Sequence, residues 1–208
     1  MINIQIYPVT MLGTNCAYIK DAATGKAAVT DPGERSEKLM KQIKQDGGKL
    51  EYVLLTHGHY DHICYAKQLA ELCRAKVVTG RLCNEFLSNT KYNGTAAHGI
   101  LYTPFDADIL LDDGDTFMLG ETEFTYLSTP GHTIGCGVFL ADGVMFAGDT
   151  LFCESYGRTD LPTGNEVQMM QSLKKLKELE GDYQVIPGHG SLTTLEHERR
   201  YNPLMSRL

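Results

Sequence analysis

The segment Thr56–His62, with the sequence THGHYDH, most constrains how this chain can fold. It follows the apolar run YVLLT (52–56), which is too short for a helix and is predicted to be a buried strand, and it leads into a predicted helix. A sharp strand-to-helix turn lets its polar side chains point into one small volume, whereas regular helical or strand spacing would splay them apart. Imidazole and carboxylate groups are ligands for zinc, iron or manganese. The four candidate ligands here are His57, His59, Asp61 and His62.

Three later segments repeat this arrangement of an apolar strand followed directly by a ligand-type residue. The strand EFTYLS leads to His132, VMFAG leads to Asp149, and QVIPG leads to His189. Strand ends on one rim of a sheet bring together residues that are distant in sequence. We therefore predict one metal centre built from all seven residues. His98, in a segment without clear periodicity, and His197, on a polar helix, lack this setting and are predicted not to be ligands.

Composition limits the class of protein and its partners. The chain has 208 residues and a net charge of −7, and we expect residues 1–208 to form one domain. An acidic surface disfavours nucleic acid, and no apolar run approaches the roughly 20 residues that span a bilayer. Because the N-terminus lacks the features of a signal peptide, we expect a cytoplasmic protein. The six cysteines form no CxxC pair, so we interpret them as free thiols, with Cys64 the candidate for a role in the site.

The order of predicted elements indicates an α/β (α+β) fold with two facing sheets and helices outside. Strands are predicted in the N-terminal third and again after residue 108, and Asp142-Gly143 predicts a tight hairpin turn. Residues 81–106 are interpreted as helical turns and a loop. The predicted helices cover residues 34–45, 62–73, 166–180 and 194–201.

With these motifs in place, the sequence resembles the metallo-β-lactamase superfamily. The resemblance rests on HxHxDH, TPGHT (129–133), AGDT (147–150) and PGHG (187–190), in that order. It is closest to the glyoxalase II-like hydroxyacylglutathione hydrolases, in particular the short bacterial form. Residues 148–164 and 187–203 are similar to that form and also to the persulfide dioxygenases.

The resemblance implies a four-layer αβ/βα sandwich and two divalent metal ions. His57, His59 and His132 match the first metal site, and Asp149 matches the bridging carboxylate. The residues that match the second site are Asp61, His62 and His189. We expect zinc first, with iron and manganese as alternatives.

Three features differ from related families. Ile63, Cys64 and Tyr65 follow the HxHxDH motif, where glycine is usual. We expect no C-terminal helical domain of the kind that full-length glyoxalase II has, so the thiol carrier is left open. Class B1 β-lactamases have a cysteine ligand where this chain has Asp149, which argues against antibiotic hydrolysis as its main role.

The expected activity is hydrolysis of a thioester, such as S-lactoylglutathione or a related acyl-thiol, by a metal-bridging hydroxide that Asp61 helps to orient. A thiolate departs without a strong general acid, which agrees with the lack of a separate acid in the motifs. Tyr156 and Arg158 are predicted to contact the anionic substrate. The alternative for Arg158 is pairing with Asp160 or with a backbone carbonyl. We expect a monomer or a homodimer.

Two other functions are considered. A persulfide dioxygenase would hold one iron with His57, His132 and Asp149, a two-histidine, one-carboxylate face. A non-catalytic metal-binding protein on the same fold would be expected to lack one or more ligands, and none is missing here.

Overall fold

The computed structural model describes residues 1–208. Its first sheet has six strands in sequential order. Neighbouring strands are antiparallel from the first to the third and parallel from the third to the sixth. The strands are β1 (Ile2–Val9), β2 (Thr14–Asp21), β3 (Ala27–Thr30), β4 (Leu50–Leu55), β5 (Lys76–Gly80) and β6 (Ile109–Leu111).

The second sheet also has six strands, in the order β14-β13-β10-β9-β8-β7, and only its β10–β13 pair is parallel. A short hairpin of β11 (Leu151–Phe152) and β12 (Ser155–Tyr156) stands apart from both sheets. The strands of the second sheet are β7 (Thr116–Leu119), β8 (Thr122–Ser128), β9 (Gly137–Ala141), β10 (Val144–Gly148), β13 (Gln184–Pro187) and β14 (Thr193–Thr194).

Three apolar layers hold four layers of secondary structure together. Residues from both sheets, such as Leu54 and Phe146, form the middle layer. Leu39 and Leu69 attach two helices to the first sheet, and Leu173 attaches a helix to the second. The αβ/βα sandwich implied by the resemblance is therefore confirmed. The helices are α1 (Glu37–Gln45), α2 (Tyr60–Ile63), α3 (Ala66–Cys73), α4 (Asn84–Ser88), α5 (Glu166–Lys177) and α6 (Leu195–Tyr201).

The helix predicted over residues 62–73 is two helices, which corrects the sequence-based prediction. The first begins at Tyr60, so Asp61 lies within α2 rather than in the preceding turn. The backbone N–H of Tyr65 donates to the carbonyl of Pro32 at 3.0 Å, an interaction outside the helix that accompanies the break at residues 64–65. No helix of the chain combines the length and the apolar character needed to cross a membrane.

Candidate metal centre

The seven predicted ligand residues meet where four strands end. His57 follows β4, His132 follows β8, Asp149 follows β10 and His189 follows β13. All seven are buried apart from His189, whose side chain is 24% exposed. The sheet edges thus bring together in one cluster side chains that are more than a hundred positions apart in the sequence.

A first group consists of three imidazoles, those of His57, His59 and His132, with one nitrogen of each within 4.8 Å of the others. Nε2 of His132 lies 2.8 Å from Nδ1 of His59. The outer nitrogens are held by the protein: Nδ1 of His132 donates to the carbonyl of Arg158 at 2.7 Å, and Nδ1 of His57 contacts Oγ1 of Thr56 at 3.3 Å. A donating Nδ1 leaves the lone pair on Nε2, which is the form that binds a cation.

A second group combines one carboxylate and two imidazoles. Oδ2 of Asp61 lies 3.2 Å from Nε2 of His189 and 3.4 Å from Nε2 of His62. Thr14 donates its hydroxyl to Oδ2 of Asp61 at 3.3 Å, and Nδ1 of His189 donates to the carbonyl of Leu12 at 3.1 Å. The turn between β1 and β2 therefore supports this group from one side.

Asp149 lies between the two groups. Its Oδ2 is 3.5 Å from Nε2 of His132, in the first group, and its Oδ1 is 3.5 Å from Nε2 of His62, in the second. One carboxylate oxygen thus faces each group. This arrangement could let a single side chain contact two cations.

Burial lowers the pKa of the three imidazoles in the first group. For His59, burial and then the neighbouring His132 lower the pKa to about 3. Burial also lowers the pKa of His57 and of His132, although Asp149 partly opposes this for His132. Without a cation, these rings are neutral at neutral pH and ready to bind one.

The two imidazoles of the second group have raised rather than lowered pKa values, because carboxylates lie close to them. Burial by itself would lower the pKa of His62, but the charges of Asp61, Asp149 and Asp31 outweigh it and raise the pKa well above its ordinary value. The pKa of His189 is also raised: burial by itself would lower it, but the hydrogen bond to Asp61 and the charge of Asp149 together outweigh that effect. Burial would raise the pKa of Asp61, yet the charge of His62 and the hydrogen bond to His189 lower it overall.

Three buried polar atoms in this cluster form no hydrogen bond. One is Nδ1 of His62, which faces Oδ2 of Asp31 at 3.1 Å, and the other two are Nε2 of His57 and Oδ1 of Asp149. A buried polar atom without a partner costs about 1–3 kcal/mol, so native proteins seldom leave one without a function. The latter two atoms point into the cluster, and nitrogen and carboxylate oxygen together suit borderline divalent cations such as zinc. The residues present therefore fit a metal centre.

Gly188 permits the close approach of β13 to this cluster. A Cβ atom at this position would lie 2.1 Å from Oδ1 of Asp149 and 2.9 Å from Cε1 of His62. Both distances are shorter than any ordinary contact, so a larger residue would displace the carboxylate or the ring.

Asp31 is a site residue that the sequence analysis missed. Its Oδ2 lies 3.1 Å from Nδ1 of His62, and its carboxylate accepts hydrogen bonds from both the backbone N–H and the hydroxyl of Thr56. The sequence did contain a pattern that could have identified it, because Asp31 directly follows β3 as other candidate ligands follow their strands.

The two predicted substrate contacts have partners within the protein. The guanidinium of Arg158 forms a forked pair with the carboxylate of Asp160, at 2.6 and 2.7 Å, which is the alternative that the sequence left open. Tyr156 is half-buried and packs against the apolar layer between the second sheet and its helices. The structure thus accounts for both side chains without a substrate.

Three further residues lie outside both ligand groups. Cys64 lies at the end of α2, and burial followed by the charge of Asp61 raises the pKa of its thiol to about 11, so it is protonated at neutral pH. His98 packs against the ring of Tyr60, with ring centroids 4.6 Å apart. His197 lies outside the predicted centre but close to Cys153 and Glu154, in a separate group of ligand-type side chains.

The fold and this site define a class of protein. The sequence profile described as the Metallo-beta-lactamase superfamily matches residues 9–189, which is most of the chain. The chain belongs to the metallo-β-lactamase superfamily.

Relatives of similar length narrow the comparison. The chain is 35% identical to the hydroxyacylglutathione hydrolase GloC of Haemophilus influenzae, with 98% of each chain covered. It is also 35% identical to an uncharacterised protein of Aquifex aeolicus, covering 99% of this chain and 98% of the relative.

Solved structures show the same fold. The BLEG-1 B3 metallo-beta-lactamase superposes with a TM-score of 0.90 at 29% identity, over 98% of this chain and all of the other. TTHA1623 in a di-iron-bound form gives a TM-score of 0.82 at 30% identity, covering 96% and 98%. ETHE1 from Myxococcus xanthus gives 0.78 at 28% identity, covering 98% and 85%.

Proposed function

We propose that this protein is a dinuclear metal-dependent hydrolase that cleaves small anionic thioesters, such as S-lactoylglutathione or a related acyl-thiol. The observation that carries the proposal is the position of Asp149, with one carboxylate oxygen facing each of two ligand groups. The whole-length similarity to the hydroxyacylglutathione hydrolase GloC supports the substrate class.

In this proposal, His57, His59 and His132 hold one cation, and Asp61, His62 and His189 hold the other, with Asp149 shared. Divalent cations bound there would polarise the thioester carbonyl and lower the pKa of a water molecule. Zinc suits the donor set, while the likeness to a di-iron-bound structure makes iron a real alternative.

The charge of the centre favours an anionic substrate. Asp61, Asp149 and a bound hydroxide would contribute three negative charges against the four positive charges of two divalent cations, so the cations with their direct ligands would have a net charge of about +1. The carboxylates of a glutathione-like thiol carrier would be attracted to it.

Asp61 has two roles in the proposed reaction. Beside His62 and His189, Asp61 would help to hold the second cation. Its lowered pKa keeps it ionised, so it would also accept a hydrogen bond from the attacking water and orient that water. The leaving thiol has an ordinary pKa of about 8.5 and departs as the thiolate, so no separate general acid is required.

The test is metal analysis of the purified protein, followed by a panel of substrates. We expect about two metal ions per chain and release of thiol from S-lactoylglutathione or from another acyl-thiol in the panel. Matched oxygen esters should react more slowly. Fewer than two metals at full activity, or no turnover of any thioester, would overturn the proposal.

Two observations favour other activities, and the same panel tests them. His57, His132 and Asp149 could form a two-histidine, one-carboxylate iron face, and one iron per chain with oxygen uptake on a persulfide would establish a dioxygenase. The TM-score of 0.90 with a B3 metallo-beta-lactamase makes a chromogenic β-lactam a necessary member of the panel. Turnover of the β-lactam faster than of every thioester would replace the thioesterase proposal.

A further inference from the structure

A second group of ligand-type side chains lies on the surface, away from the seven residues described above. Cys153 and Glu154 form the turn between β11 and β12, and His197 projects from α6 beside them. One ligand atom from each of the three residues lies within 4.8 Å of the other two. Nε2 of His197 is 3.1 Å from Oε1 of Glu154.

We propose that Cys153, Glu154 and His197 form a separate binding site for a zinc-like divalent cation. Thiolate, carboxylate and imidazole are the three side-chain ligands that zinc uses in proteins. In tetrahedral coordination, zinc–nitrogen and zinc–oxygen bonds of roughly 2.0–2.1 Å place the two ligand atoms about 3.3 Å apart. The separation of 3.1 Å between Glu154 and His197 is close to that value. Since the group is open to solvent, water completes the coordination.

The protein holds the two halves of this site in place without a metal. The backbone N–H of Glu154 donates to Oε2 of Glu198 at 2.9 Å, which ties the hairpin turn to α6. Glu198 is fully buried, and its other oxygen accepts a hydrogen bond from the hydroxyl of Thr193 at 2.6 Å. Because the turn and the helix are already fixed to one another, binding a cation needs little further ordering of the backbone.

A simple ion pair is the competing explanation for this group. The side chains of Glu154 and His197 are 58% and 38% exposed, and exposed pairs typically contribute only about 0–1 kcal/mol to stability. That explanation assigns no role to Cys153. A cation site accounts for all three side chains.

A cation here would connect α6 to the hairpin that borders the main centre. The ring of Phe152, at the start of the turn, lies 6.2 Å from the ring of His189, a predicted ligand. Occupancy of the surface site would therefore stabilise the position of this edge of the centre, while the bound ion itself lies outside it.

The two sites differ in their ligand types, so a signal specific to thiolate cannot come from the main centre. The main centre offers only imidazole and carboxylate, so a cadmium–thiolate absorption band in the ultraviolet reports on cysteine ligands alone. We would load the full chain with two equivalents of zinc, enough for the main centre alone, then titrate Cd²⁺ and compare the wild type with Cys153→Ser, Glu154→Ala and His197→Ala. Cys64→Ser and Cys73→Ser are matched controls, because these are the other partly accessible thiols besides Cys153.

The expected result is one equivalent of Cd²⁺ bound with a thiolate band in the wild type and in both control variants. The band should be absent in Cys153→Ser, and the Kd should rise by more than about tenfold in His197→Ala and Glu154→Ala. As a measurement on the unaltered chain, stoichiometric Zn²⁺ should protect Cys153 from alkylation, located by peptide mass spectrometry.

Three outcomes would overturn the proposal: no band in the wild type, a band that persists in Cys153→Ser, or an unchanged Kd in both His197→Ala and Glu154→Ala. Failure of Zn²⁺ to protect Cys153 would do the same. None of these results depends on the substrate or metal count of the main centre, so this proposal and the proposed hydrolase function can fail separately.

Discussion

Asp31 and His62 form a buried carboxylate–imidazole pair, in which Oδ2 of Asp31 lies 3.1 Å from Nδ1 of His62. Thr56 fixes the carboxylate through its backbone N–H, at 2.8 Å, and its hydroxyl, at 2.6 Å. With Nδ1 facing Asp31, Nε2 of His62 faces Asp61 and Asp149. Histidines that bind metals usually have such a partner on the outer nitrogen, because it fixes the ring and makes the inner nitrogen more basic.

Asp31→Asn should therefore weaken the binding of a cation to the second group while leaving the fold intact. Asparagine keeps the size of the side chain and tolerates the positive φ of 46° at this position. Loss of an outer partner of this kind typically lowers metal affinity about 10–100-fold. Competition with a chromogenic chelator measures the change. Thr56→Ser, which keeps both donors to Asp31, should bind like the wild type, and equal affinity in Asp31→Asn would refute the positioning role.

Gly188→Ala should disable the centre through steric contact alone. The added Cβ would lie 2.1 Å from Oδ1 of Asp149, so that the carboxylate must move away from both groups. We expect metal content to drop below that of the wild type and hydrolysis to fall with it. Gly190→Ala in the same loop is the control, because its Cβ meets nothing within 4 Å. Its positive φ of 77° should cost about 1 kcal/mol of stability without affecting metal content. Metal loss in both variants alike would point to general loop damage instead.

Replacing a candidate ligand should lower activity more than replacing a residue that only positions a ligand. We expect His57→Ala and Asp149→Ala each to lower kcat/KM by more than about a hundredfold, because an outer partner alone accounts for up to that factor. Each chain should still unfold cooperatively, since Nε2 of His57 and Oδ1 of Asp149 make no hydrogen bond that supports the fold. Circular dichroism during heating checks the fold, and His98→Ala is a matched control outside the ligand groups. Near-wild-type rates in either ligand variant would remove that residue from the mechanism.

Most of the centre could be predicted because its information is local in sequence. Four of the seven candidate ligands follow a short apolar strand, the other three lie within five residues of the first of these, His57, and strand ends lie at a sheet edge whatever the details of packing. The turn at Asp142-Gly143 was predictable for a similar reason, since both residues have positive φ, at 49° and 75°, as that hairpin requires.

Other features depend on packing between distant segments, which periodicity does not reveal. Asp31 follows a strand as the ligands do, but only the parallel pairing of β3 with β4 brings it beside Thr56 and His62. The break between α2 and α3 accompanies a hydrogen bond from Tyr65 to Pro32. Likewise, His197 was predicted not to be a ligand, and nothing in its own segment shows that α6 packs beside the turn at Cys153.

Binding of the two cations should differ in its pH dependence. A ligand must be deprotonated to bind, and the lowered pKa values of His57, His59 and His132 mean that these rings have no proton to lose at neutral pH. His62 and His189 have raised pKa values, so cation binding to the second group must release protons, and its affinity should increase as the pH rises. Calorimetry in buffers of different ionisation enthalpy measures the protons released. Equal release at both steps would contradict this assignment.

Variants of Arg158 and Asp160 should show whether Arg158 shapes its loop or contacts the substrate. The forked pair is exposed, and such pairs contribute only about 0–1 kcal/mol to stability, but the carbonyl of Arg158 also accepts the hydrogen bond from Nδ1 of His132. If the pair only shapes this loop, Arg158→Ala and Asp160→Ala should each lower kcat/KM by a similar factor of less than about ten, because both release the same segment. Steady-state kinetics on the preferred thioester measures both. A large rise in KM confined to Arg158→Ala, with an unchanged or lower KM in Asp160→Ala, would instead show that the guanidinium binds the anionic substrate once it is freed from Asp160.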